Sequence, residues 1–81
     1  MNILSNKHNF EEFKDSLVWH DMQEWIKDMI ENIRGELETV DDIKTMHRMQ
    51  GEIITLRRML ALPDAMIEWF NYNNNQKEGG E

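Results

Sequence analysis

Cysteine is absent from the 81 residues, proline occurs once, and glycine occurs four times, two of them in the closing KEGGE. Without cysteine no disulfide stabilises the fold and no thiolate can hold a structural zinc, which fits a reducing compartment. So little turn chemistry excludes a β-rich fold, whose strands need a turn every ~8–12 residues. No apolar run approaches the roughly 20 residues that cross a membrane. The opening MNILSNKHNF lacks the apolar stretch of a secretory signal. The expectation is a soluble, intracellular chain of one domain. Positive charge is also scarce: nine Lys and Arg against sixteen Asp and Glu give a formal charge of -7. Residues 10–42 hold eleven acids and three bases, whereas residues 43–62 hold four bases and one acid. Such a division suggests an acidic arm lying against a more basic one. Direct binding to nucleic acid is not expected, because most of the surface would repel phosphates.

Helical spacing runs through the chain. Residues 1–9 read as an N-terminal segment. Asn9 before Phe10, with Glu12 three residues on, reads as an N-cap and its acid at N3. A short helix over 10–16 follows, and Ser16 is placed to cap a fresh start. The first long helix is expected over 17–38. Its Met22, Ile26, Met29 and Ile33 follow the 4-3-4 spacing of a coiled-coil seam, widened by Trp25, Ile30 and Leu37. In ETVDD, Thr39 reads as the next N-cap, with Asp42 completing a box and the acids favoured by the helix dipole. A second long helix over 40–62 carries Met46, Met49, Ile53, Leu56 and Leu60 at 3-4-3-4 spacing. The connection is short, so the two helices should be antiparallel neighbours.

HRMQGEIITLRRMLALPD, residues 47–64, holds a Gln-Gly pair inside a helical run and a Pro at its end. Gly51 costs about 1 kcal/mol relative to Ala there. It is either a tolerated surface glycine or a point where another backbone or a Trp ring approaches closely, with Gln50 reaching a polar partner. Pro63 cannot donate a helical N–H, so it ends the second helix and suits N1 of a short third one over 64–71. NYNNNQKEGGE is polar and aperiodic, and residues 72–81 read as a disordered tail.

Little here carries chemistry. His20, Asp21 and Glu24 share a helix face, but the Glu-x-x-His motif of a di-iron bundle does not occur. Carboxylates are plentiful, yet two packed helices leave little room for a pocket that would set two of them in different environments. Ser5 and Ser16 have no evident base. Neither a metal, a cofactor nor an enzymatic activity is expected. Glu24, Asp28 and Glu31 recur at helical spacing, and such an acidic face either solvates a helix or imitates phosphates toward a nucleic-acid-binding protein. The three Trp and seven Met form a larger apolar load than the single inner seam of a helical pair covers. The surplus packs under the flanking helices or forms an interface. Self-association is the favoured reading, two hairpins forming a four-helix bundle or several forming a ring. The surface would draw on Trp19, Trp25, Met49, Gln50, Gly51, Arg57, Trp69 and Phe70.

One pattern goes beyond composition. Trp19, Asp21, Arg34, Glu36, Leu37 and Glu38, followed by Gln50, Gly51, Glu52, Leu56, Arg57, Leu60 and Pro63, stand in an order that resembles small helical-hairpin proteins encoded by tailed bacteriophages. The resemblance covers roughly residues 17–63. It implies a phage origin and a virion or assembly role in the host cytoplasm, and it brings no catalytic residues. The combined expectation is an all-α antiparallel hairpin with short flanking helices. Its partners would be further copies of itself or a larger phage or host protein. The alternative is an acidic inhibitor of a host protein that binds nucleic acid.

Overall fold

The computed structural model describes the backbone of residues 2–79 and the side chains of residues 2–74. Four helices and no strand occur among them: α1 (Lys7–Lys14), α2 (Leu17–Leu37), α3 (Ile43–Leu60) and α4 (Leu62–Gly79). The all-helical class expected from the spacing is what the chain adopts.

Side-chain caps set the helix starts. Asn6, not Asn9, caps α1. Its carboxamide oxygen accepts from the Asn9 backbone N–H at 2.9 Å, and the Asn9 side chain accepts in return from the Asn6 N–H at 2.9 Å. Both asparagines have capping chemistry and a partner three residues on; the box forms at Asn6, and Glu12, the partner Asn9 would use, pairs with His8 instead. Ser16 caps α2 as expected: its hydroxyl accepts from the Trp19 N–H at 3.1 Å and donates to the Phe13 carbonyl at 2.6 Å, tying the end of α1 to the start of α2. Asp42, not Thr39, caps α3, because Thr45 offers it two donors, the backbone N–H at 3.0 Å and the hydroxyl at 2.7 Å. Those bonds hold the Asp42 carboxyl below its ordinary pKa, the Thr45 hydroxyl contributing most. Thr39 instead donates to the Glu36 carbonyl at 3.1 Å, at the end of α2. Pro63 sits in the first turn of α4, where its missing N–H has no intrahelical partner to lose. That helix does not stop near residue 71. It continues to Gly79 through the polar run expected as a tail, since no Pro or Gly interrupts it and the Asn73 side chain donates to the Trp69 carbonyl at 2.8 Å.

The main packings are α2 on α3 and α1 on α4. Ile26 and Ile30 of α2 meet Ile53 and Leu56 of α3, with Met29, Ile33, Leu37 and Leu60 packed around them. The α3 seam is the one its spacing announces. The α2 seam keeps Ile26, Met29, Ile30, Ile33 and Leu37 at the core, as expected, but not Met22 or Trp25. Trp19, Ile26 and Ile30 are buried, while Met22 is 42% exposed. The α1–α4 contact is aromatic: Phe10 lies 5.8 Å from Phe70, which meets Trp69 edge-on at 4.9 Å; Phe13 in turn ties α1 to α2, 5.4 Å from Trp19. Lys14 pairs with Asp64 at 2.5 Å across α1 and α4, which raises the Lys14 pKa above its ordinary value, chiefly through the hydrogen bond.

The result is elongated, 57 × 30 × 17 Å with a radius of gyration of 17.3 Å. A compact domain of this length would have about 12 Å. No large described side chain is completely buried. The chain exposes 6625 Å2, against roughly 5,200 Å2 for a compact monomer of its mass.

Candidate association surface

Two apolar strips run along α2. The inner one follows Trp19, Ile26, Ile30, Ile33 and Leu37, with the polar Gln23 in the same register, and from Ile26 onward it packs on α3. The second follows Val18, Met22, Trp25 and Met29, at the same 4-3-4 spacing one position away. Met29 at its end also packs against the core, and Met22 lies beside Phe13 and Met66, but the rest of the strip is in water. Val18 is 63% exposed and Trp25 70%. A single inner seam cannot cover both strips, because α3 presents one apolar stripe and α1 reaches only the start of α2.

The outer strip borders a groove of about 590 Å3 between α2 and α3. Met29 and Ile33 form its α2 wall, and Leu56 its floor. The α3 wall is Arg48, Gly51, Glu52 and Thr55, and helical spacing carries it on to Met59, itself 39% exposed. Gly51 is exposed, and a Cβ built on it meets nothing within 4 Å. No helix or Trp ring of this chain approaches it, so the close contact expected there does not form within one molecule. Its carbonyl accepts from the Thr55 hydroxyl at 3.0 Å. The groove's charged rim is slight: Arg48 Nε stands 4.0 Å from Glu52 Oε1, with both side chains largely in water. A smaller apolar hollow of about 300 Å3, lined by Phe13, Met22, Leu62 and Met66 among others, lies at the α1–α4 end of the outer strip.

The residues singled out from the sequence divide among several places. Trp19 and Met49 are interior, at 5% and 4% exposure, and belong to the core rather than to any surface. Trp69 and Phe70 are half-buried among the aromatic contacts of α1 and α4. Gln50 and Arg57 lie on the opposite flank of α3, in a smaller groove with Arg34, Leu37 and Ile54. Only Trp25 and Gly51 fall on the flank with the large groove. Val18, Met22, Met29, Thr55 and Met59 join them there. Sequence reading alone places Met22 and Met29 in the inner seam and passes over Val18; the 4-3-4 spacing of 18, 22, 25 and 29 is the signal that could have found this strip.

Glu24, Asp28 and Glu31 are exposed along α2. Glu24 pairs with Lys27 at 3.6 Å and Glu31 with Arg34 at 2.9 Å, so part of that acidic row is neutralised on its own helix. His20 lies 3.3 Å from Asp21, both exposed. Among the described residues, no group of three or more His, Cys, Asp or Glu converges as a metal site, and no buried side-chain polar atom lacks a hydrogen-bond partner. Among the described residues no helix is long and apolar enough to cross a membrane. The arrangement can bury apolar surface against another helix. Comparison with protein-family models, with characterised proteins and with solved structures finds no match.

Proposed function

We propose that the protein acts without catalysis, as an association module. In this reading α2 and α3 form an antiparallel hairpin, and its Val18–Met22–Trp25–Met29 flank takes up another helical surface. Trp25 carries the proposal. An indole 70% exposed, on a strip of apolar neighbours and beside an apolar groove, is costly to leave in water and is of the type that anchors interfaces. The resemblance to phage hairpin proteins extends the reading: the assembly would be a virion or an intermediate in its construction, within the host cell. Trp25→Glu tests it. The variant should keep the far-UV circular dichroism of the parent, since Trp25 contributes little to the core, and should lose association. Association that survives the substitution would remove this flank from the function.

A second reading rests on the exposed row of Glu24, Asp28 and Glu31, whose carboxylates would occupy a host protein that binds nucleic acid. The pairs to Lys27 and Arg34 weaken that row, which is why association comes first. Reversing all three acids to Lys discriminates between the two: it should abolish salt-sensitive binding to a basic protein and leave apolar association in place.

A further inference from the structure

We infer that the occupant of the α2–α3 groove is a second copy of this chain, packed about a two-fold axis that crosses α3 beside Gly51. This rests on the reading of the flank as an association surface.

The exposed area fits. The 6625 Å2 the chain presents exceeds that of a compact monomer of its mass by about 1,400 Å2. A standard interface takes about 800 Å2 from each partner. A surplus of that order leaves room for one such contact, and Trp25, 70% exposed on the outer strip, is part of the exposed area.

The architecture fits as well. Stable domains stack two layers of secondary structure around a core. The α2–α3 pair is one layer, because α1 and α4 pack chiefly on each other. A second pair laid on the groove supplies the missing layer and makes a four-helix bundle. It does so with a surface of the same length and the same apolar spacing.

The charges on the rim are self-complementary. Arg48 and Glu52 stand one turn apart with opposite signs, and their contact within the chain is only 4.0 Å. In an antiparallel crossing of α3 on α3 centred between them, each Arg48 faces the partner's Glu52, so one contact is made twice. That reciprocity is what an isologous interface requires. Gly51 sits at the crossing, where the lack of a side chain lets the two backbones approach, and nothing within its own chain fills that space. Glu24, Asp28 and Glu31 do not line the groove. Two chains of charge -7 therefore meet with that acidic row turned away from the contact.

The test is light scattering behind a sizing column, over about a hundredfold range of concentration. The wild type should move from 9.8 kDa to twice that mass. Trp25→Glu and Gly51→Leu should each weaken the dimer at least about thirty-fold, the loss expected of a central anchor, with circular dichroism unchanged. Arg48→Glu and Glu52→Arg should each weaken it alone, and an equimolar mixture of the two variants should recover a heterodimer. A wild type that stays monomeric throughout overturns the second copy and leaves the flank to a different protein. A dimer indifferent to Trp25→Glu overturns this inference and the association reading of the flank together. Charge variants that fail to rescue one another, or a larger closed oligomer, overturn the two-fold register.

Discussion

Gly51→Ala, with Gly35→Ala beside it, separates what a glycine does to its own helix from what it does to a neighbour. Both glycines lie inside helices, and a Cβ added at either meets nothing within 4 Å. In an isolated chain only backbone freedom is at stake, and alanine is favoured by about 1 kcal/mol in a helix interior. For a domain of this size that is a rise of about 4–8 °C in Tm. The gain should be smaller for Gly35, which lies in the last turn of α2. In dilute solution both substitutions should therefore raise Tm. If the chain forms the proposed dimer, high concentration adds stability by mass action, and the two should part. Gly35 lies on α2 away from the inner seam and the outer strip, so its gain should persist. Gly51 lies at the proposed crossing, where a methyl group holds the helices apart, so its gain should shrink or reverse. Circular dichroism melts at two concentrations read both effects. An equal gain from Gly51→Ala at both concentrations would refute close approach at that position. No gain from either variant in dilute solution would refute the account of these glycines as open helix sites.

Further expectations concern the core and the caps. Ile30→Ala removes a side chain from the Ile26–Ile30–Ile53–Leu56 cluster and should cost about 2–5 kcal/mol, enough to unfold much of so thin a domain in a denaturant titration. Ser16→Ala removes the acceptor for the Trp19 N–H and should cost about 1 kcal/mol, read as a lower denaturation midpoint at unchanged slope. The cap at Asp42 gives a pH dependence. Its pKa is lower folded than unfolded, so its contribution is present above the unfolded value of 3.8 and is lost as pH falls through the folded one. Asp42→Asn should flatten that acid limb while keeping the cap. Lys14 behaves in the opposite sense. Its pKa is raised by Asp64, so its contribution is present below the unfolded value and is lost as pH rises through the folded one. Lys14→Met should remove that alkaline limb from the melting profile.

Periodicity gave the class and one of the two seams directly. On α3 there is a single apolar stripe, so spacing determines both its period and its direction, and Met49, Ile53 and Leu56 are buried. On α2 two adjacent strips share one period, and period alone does not say which faces inward. That choice is made by the Ser16 cap and the Phe13–Trp19 contact, which turn the inner strip toward α3 and leave Trp25 outside. Counting aromatic residues showed a surplus without locating it, which is how the interior Trp19 and Met49 came to be grouped with the exposed Trp25. The α4 extension was hidden for a different reason. Its second half has no apolar period, and it is helical because nothing in it breaks a helix already started.

The aromatic contact of α1 with α4 has a consequence for the order of folding. Phe10 and Phe70 come from opposite ends of the sequence, whereas α2 and α3 are joined by residues 38–42 alone. Contacts local in sequence form early, and distant ones must first close a long loop. On the ribosome, α2 and α3 can pair once Leu60 has emerged, but α1 has no α4 to pack on until Phe70 has emerged as well. Newly made chains therefore display Phe10 before its cover exists, while Phe13 can already meet Trp19. A C-terminal truncation before Trp69 would leave that aromatic face open permanently.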